Sequence, residues 1–207
     1  DRLTDELHGR WMQEMLTGRE DMTLLAHRGS YKTTCLAFSM AAMLLAFPKR
    51  NILFMRKTDE DVVEVLRQVK MLLRTDAMRH LSAMIYGAPV EILKTDMFTV
   101  QLNCYTAMKG ALQLLGMGTG GSLTGKHADI VITDDIVNLQ DRISAAERSR
   151  TRSIYQELQH IRNPDGRILN SGTPWHPQDA ISLMPNIRRC DCYHSGLLSE
   201  EEILRLQ

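Results

Sequence analysis

Residues 26–34 read AHRGSYKTT. The closing Lys32-Thr33-Thr34 matches the end of a phosphate-binding loop, whose pattern is G-x-x-x-x-G-K-[ST]. Ala26 stands at the first glycine position and Tyr31 at the second. Such a loop needs backbone N–H groups turned inward, a helix N-terminus behind them and a cation for the terminal phosphates. Lys32 supplies the cation, Thr33 a hydroxyl suited to Mg²⁺, and Arg28 a second positive charge. Gly29 gives the backbone freedom, and His27, Ser30, Tyr31 and Thr34 complete the stretch that would surround a nucleotide. Read by itself, the segment fits a helix cap equally well, because Thr is a good N-cap.

The flanking sequence sets the loop in a pattern. MTLLA (22–26) is a short apolar run before it, and Thr33 to Phe47 is apolar almost all round, as a buried helix is. Pro48 stops that helix; NILFMR (51–56) predicts a strand and 59–73 a helix opened by acids. Upstream, residues 4–17 place Leu7, Trp11, Met15 and Leu16 at helical spacing. Residues 97–102 alternate and 111–117 form a second apolar run, which predicts a hairpin-like pair. The glycine-rich stretch 116–125 predicts a mobile loop. ADIVITDD (128–135) is a buried strand ending in two acids, Ser144 to Ile161 an arginine-rich helix, and 166–174 a last strand running into a turn. Strands alternating with helices predict an α/β domain with a mainly parallel central sheet flanked by helices. Ligands on such sheets sit at the carboxyl ends of the strands.

Three features fall at predicted strand ends. The first is the loop after Ala26. The second is Asp134-Asp135, where a nucleotide hydrolase needs one carboxylate for Mg²⁺ and another to polarise water; the bland alternative is a turn-favouring Asp. The third is Ser171-Gly172-Thr173, whose small hydroxyl residues suit the sensing of a terminal phosphate. His176, just beyond, is a poor candidate base, because phosphoryl transfer of this kind depends on positioning more than on a histidine.

Composition narrows the field. Twenty-five basic residues balance 25 acidic ones, so net charge gives no argument for nucleic-acid binding, although a local patch is still allowed. Aromatic residues are only 5%, which argues against a stacking platform for single strands. No run of 18 apolar residues is present, so no membrane partner is expected. The four cysteines suit neither a disulfide framework nor a four-ligand zinc site; Cys190, Cys192 and His194 lack a fourth ligand. The polar start without Met reads as that of an excised fragment.

HRGSYKTT, VITDD and SGTPWHPQDAI, in that order and spacing, resemble the N-terminal ATPase domain of tailed-bacteriophage large terminases, over about His8 to Asp179. The resemblance implies a P-loop NTPase of the ASCE, RecA-like type, with ATP and Mg²⁺ as cofactors. It implies catalytic roles for Lys32, Asp135 and Arg28, metal ligation by Thr33 and Asp134, and a coupling motif at Ser171-Gly172-Thr173. Gln13 becomes the candidate adenine contact. Two departures stand out: Tyr31 replaces a glycine, implying a narrower loop or weaker nucleotide binding, and Asp135 is shorter than the usual Glu, implying slow basal hydrolysis.

The family works as a homo-oligomeric ring on double-stranded DNA with a portal protein and a small terminase subunit, in the host cytoplasm at the procapsid. A neighbour's cation would then complete each site; Lys126, Arg142, Arg148, Arg150 and Arg152 are the candidates. The expected organisation is an ATPase domain at 1–185, with 186–207 the start of a linker toward a nuclease domain not expected in this fragment. Two alternatives stay open: another P-loop motor of helicase-like kind, and a degenerate P-loop module with a structural or docking role.

Overall fold

The computed structural model describes residues 3–107 and 110–204. The chain opens with a wide helical turn at Asp5–Gly9 that runs into α1, Arg10–Thr17. Strand β1, Met22–Ala26, is buried along its whole length, as a strand covered on both faces must be. Helix α2 spans Lys32–Ala46 and is buried at ten of its positions, from Lys32 to Leu45. β2 (Ile52–Arg56) and α3 (Asp59–Leu73) follow, the latter capped by the Thr58 hydroxyl, which accepts from Asp61 N–H.

Helix α4, Asp76–Tyr86, and strands β3, Ile92–Thr95, and β4, Thr99–Leu102, come next. β5 is Leu114–Gly118 and β6 is Ala128–Asp134. The short α5, Leu139–Ile143, and the long α6, Ala145–Ile161, lead into β7, Arg162–Gly172. A 3₁₀ turn at Ala180–Leu183, strand β8 at Ile187–Cys190 and α7 at Glu200–Leu204 close the described chain.

The strands form one sheet in the order β3-β4-β5-β2-β6-β7-β1-β8. From β5 to β8 every pairing is parallel, and β3 and β4 add an antiparallel edge. The sheet is a middle layer. Leu24, Phe54, Ile132 and Leu169 point to one side and pack with α1, α2 and α3. Leu25, Leu53, Met55, Val131 and Ile168 point to the other and meet Tyr155 and Leu158 of α6. β7 lies between β1 and β6, so it separates the loop-bearing strand from the acid-bearing one.

The α/β expectation holds, and the predicted pairing of the 97–102 and 111–117 segments appears as β4 against β5. Several elements were not anticipated, among them α5, α4, β3 and β8. α4 has a Thr75 cap and a left-handed Gly87 at its end. β3 is largely exposed, so it carries no hydrophobic signal. β8, IRRC, is exposed and basic, and becomes a strand only by pairing with β1. The sheet therefore extends past residue 185, and residues 205–207 of the expected linker lie outside the described residues.

The mobile-loop reading of 116–125 is corrected at its start, because Gly116 and Gly118 belong to β5. Gly118 is small for a packing reason. A Cβ there would lie 2.8 Å from Asp59 N and 2.9 Å from Thr58 C. Its N–H donates to Asp59 Oδ1 at 2.7 Å, which clamps β5 to the start of α3.

Candidate nucleotide site

The loop after β1 is short because two residues adopt left-handed backbone, Gly29 at φ 79° and Tyr31 at φ 60°. Tyr31 is thus a non-glycine residue in a conformation that favours glycine. The tyrosine at this position keeps the backbone shape that a glycine would give. Its ring meets His8 edge-on, with centroids 5.9 Å apart.

His8 is fully buried and braces the loop from below. Its Nδ1 accepts from Thr4 N–H at 2.9 Å, so the ring proton belongs on Nε2, which donates to the Ser30 carbonyl at 3.1 Å. The contact from the N-terminal segment to the loop therefore comes from His8, whereas Gln13 is exposed on α1, where its carbonyl accepts from Thr17 Oγ1. α2 begins at Lys32, one residue earlier than expected, with Tyr31 as its cap and no side-chain capping bond.

Three strand ends converge at this point. Thr33 Oγ1 donates to Asp134 Oδ2 at 2.9 Å. Lys32 Nζ lies 3.6 Å from Asp135 Oδ2 and donates to Thr173 Oγ1 at 3.4 Å. Asp135 N–H donates to the Ser171 carbonyl at 3.0 Å, and Asp135 itself is held at φ 46°. A carboxylate-bearing residue in left-handed backbone costs roughly 1–3 kcal/mol and persists only where its surroundings over-determine it. Here the β7 end and two cations do so.

Asp134 is completely buried. Burial, then the neighbouring Asp135, pushes its carboxyl up to about 6, while Arg56, Thr33 and Lys32 oppose the rise. Its Oδ2 is occupied by Thr33 and by Arg56 Nε at 3.1 Å, but Oδ1 is buried with no partner. A hydroxyl beside a carboxylate with one free oxygen is a donor set that fits Mg²⁺, which takes few protein ligands and keeps the rest for water and phosphate. Ser30 Oγ and Ser171 Oγ are likewise buried without partners at this site.

The Arg28 guanidinium lies over the Trp175 ring, 5.2 Å from its centroid. The two residues line a cavity of about 180 Å³ together with Arg56, Asp135 and Thr173. Gly172 is not required by space, since a Cβ would sit 3.6 Å from Ile181 Cδ1. The turn beyond it is pinned by Asp179, which accepts from Trp175 and His176 N–H at 2.9 and 3.0 Å. The His27 ring bridges the loop and the C-terminal segment, with Nδ1 2.8 Å from the Arg28 carbonyl and Nε2 3.0 Å from Ser195 Oγ. Thr34 follows in the first turn of α2.

The candidate neighbour-facing cations are scattered. Arg148 Nη1 donates to the Asp141 and Arg142 carbonyls, and Arg152 Nη1 to Gln178 O, Asp179 O and Ser182 Oγ. Arg150 pairs with Glu147 at 3.6 Å, and Arg142 is exposed. Lys126 lines a separate cavity of about 770 Å³ with Asn51 and Asp129, at the opposite ends of the strands. Among the described residues no group of three His, Cys, Asp or Glu is placed to hold a metal ion. His194 Nδ1 contacts Asp191 at 2.8 Å.

Sequence reasoning missed Arg56 and Lys57. Arg56 ends an otherwise apolar strand, the same signal that singled out Asp134. Lys57 Nζ reaches Asp141 Oδ2 and Thr151 Oγ1 at 2.9 Å and Glu147 Oε1 at 3.3 Å, tying the β2 end to α5 and α6.

One strand thus lies between the loop strand and the acid strand, and Lys32, Thr33 and two carboxylates meet at the strand ends. No family model matches the sequence, and no curated protein does. Solved structures do match in fold. One is the large terminase ATPase domain of a Thermus phage, at 15% identity and TM-score 0.52, covering 86% of this chain and 83% of that one. Another is a large terminase from a thermophilic bacteriophage in complex with ADP, at 13% identity and TM-score 0.56, covering 95% of this chain and 48% of that one. A DEAD-box protein from the hyperthermophile Methanococcus jannaschii matches at 14% identity and TM-score 0.52, with 88% of this chain and 48% of that one covered. The chain has the fold that these ATPase domains share.

Proposed function

We propose that the chain is the ATP-hydrolysing motor domain of a viral DNA-packaging terminase, coupling hydrolysis to movement of double-stranded DNA into a procapsid. The observation that carries this reading is the meeting of Lys32, Thr33, Asp134, Asp135 and Thr173 at three neighbouring strand ends. Lys32 and Arg28 hold the phosphates, and the loop from Arg28 to Thr34 surrounds them, the His27 N–H being taken by the Cys190 carbonyl. Thr33 and Asp134 would hold Mg²⁺, which when bound neutralises charge on the transferred phosphoryl group. Asp135 orients the attacking water. Ser171-Gly172-Thr173 relay the product state, because Thr173 shares Lys32 with Asp135 and Ser171 carries the Asp135 backbone.

In this reading the ATPase domain runs through β8, past the expected boundary at 185, and the residues after Cys190 begin the connection to a nuclease domain. The partners are double-stranded DNA, further copies of the chain in a ring, a portal protein and a small terminase subunit, in the host cytoplasm. A neighbour's Arg142 or Arg150 is better placed to act in trans than Arg148 or Arg152, whose Nη1 groups already serve carbonyls. DNA is gripped through its phosphates, so binding is salt-sensitive.

Lys32→Ala and Asp135→Ala should each abolish ATP turnover in the complex assembled with procapsid and DNA. Normal turnover in either variant refutes the assignment. A structural docking module would show no Mg²⁺-dependent affinity for ATP. The DEAD-box likeness supports a helicase-like motor as the second reading; strand separation without a procapsid would favour it.

A further inference from the structure

Arg56 has no role in the reading so far, yet it is the cation with the most contacts to the acid pair. Its Nε lies 3.1 Å from Asp134 Oδ2 and its Nη2 3.8 Å from Asp135 Oδ2. Nε also donates to the Asp134 carbonyl and Nη1 to the Asp61 carbonyl, both at 3.4 Å. The side chain is only 14% exposed. Its backbone is fixed from both sides. Thr119 N–H donates to the Arg56 carbonyl at 3.0 Å, and the next residue, Lys57, is bound to Asp141, Glu147 and Thr151. The guanidinium forms one wall of the cavity of about 180 Å³ that Asp135, Thr173 and Arg28 also line.

We propose that Arg56 is a positioning residue for hydrolysis, holding both carboxylates from the β2 side so that Asp135 faces the cavity and Asp134 keeps one oxygen free. The inference rests on the ATPase reading above. The chemistry calls for an arginine. A planar guanidinium offers several N–H donors in fixed directions, so one side chain spans two carboxylates and two carbonyls; a lysine ammonium is a point charge and reaches fewer of them. Lys32 lies on the loop side of Asp135 and Arg56 on the strand side. When phosphates draw Lys32 away, Arg56 is the cation that remains to fix the Asp135 carboxylate. A residue that only neutralised buried charge would affect folding and ATP binding together. A positioning residue changes the chemical step and leaves ATP affinity alone, because Arg56 touches the carboxylates and not the phosphate loop.

The test compares wild type, Arg56→Ala and Arg56→Lys in the assembled complex, by steady-state and single-turnover ATP hydrolysis. Arg56→Ala should lower kcat by about 10²-fold, the scale for losing one preorganised electrostatic contact, with the KM for ATP changed by less than about threefold. Added methylguanidinium should restore at least about tenfold of the lost rate through the adjoining cavity. Arg56→Lys should bind ATP as wild type does and hydrolyse it about tenfold more slowly, since one ammonium cannot serve both acids. Circular dichroism checks folding, and Arg56→Lys carries the test if the alanine variant is unfolded. Turnover within about twofold of wild type in either variant overturns the inference, as does an alanine defect confined to KM. If wild type itself lacks Mg²⁺-dependent turnover, the ATPase reading fails, an outcome separate from failure of the Arg56 role.

Discussion

Tyr31 is the residue at which the loop departs most from its pattern, and its backbone makes a sharp prediction. At φ 60° it occupies the left-handed region. A side chain there costs roughly 1–2 kcal/mol relative to right-handed backbone. Two substitutions separate this strain from the contact of the ring with His8. Tyr31→Ala removes the ring and keeps the strain; Tyr31→Gly removes both. At an ordinary position glycine is the less stable of the two, by about 0.5–1 kcal/mol of unfolded-chain entropy. Here the relief outweighs that cost, so Tyr31→Gly should be more stable than Tyr31→Ala by about 0.5–1 kcal/mol. For a chain of this size that is about 1–4 °C in Tm. Urea unfolding followed by circular dichroism, run in parallel with thermal melts, measures the difference directly. A glycine variant less stable than the alanine variant would refute the reasoning, because it would mean that the left-handed backbone carries no strain. The ring–ring contact, worth about 0.5–1.5 kcal/mol, is read separately from Tyr31→Ala against wild type.

Asn170 is buried between strands, where its side chain joins Thr133 Oγ1, Thr23 Oγ1 and the Tyr155 hydroxyl. Asn170→Ala leaves the Thr133 hydroxyl without its acceptor, while the Thr23 hydroxyl keeps the Pro185 carbonyl, and should cost about 1–3 kcal/mol in urea unfolding, the scale for a buried polar group left unpaired; a loss below about 0.5 kcal/mol would contradict the network. Gly118→Ala forces a methyl against the backbone at Asp59 N and Thr58 C. It should destabilise by about 1–3 kcal/mol and slow hydrolysis as well, because the displaced turn directly follows Arg56 at the end of β2; a melt equal to wild type would show that β5 moves freely.

The sequence alone was enough to place the main elements that build the site. An apolar run before AHRGSYKTT, an all-round apolar helix after it, and a buried strand ending in Asp134-Asp135 each carry a local hydrophobic or capping signal that survives without knowledge of the fold. The three strand ends were legible for the same reason: a polar residue closing a buried strand is conspicuous. Arg56 was equally conspicuous by that rule, yet its role depends on a carboxylate 78 residues away, which no local pattern contains.

Other features existed only in three dimensions. β8 is exposed and basic and becomes a strand only because β1 offers it an edge. Gly116 and Gly118 suggested a mobile loop, but β2 pairs with them and α3 leaves no room for side chains. Gln13 was the sequence choice for the adenine contact; that His8 of the same segment braces the loop came only from packing.

Tyr31 shows the division most plainly. Its identity, a tyrosine where glycine is usual, was given by the sequence and implied a narrowed loop. Whether that residue deforms the loop depends on φ, and φ is set by what surrounds it. The return of the chain into α2, the brace of His8 on the Ser30 carbonyl and the ring resting on His8 hold Tyr31 in the left-handed region. Local composition determines which conformations are cheap; only the packed tertiary structure determines which costly one is imposed.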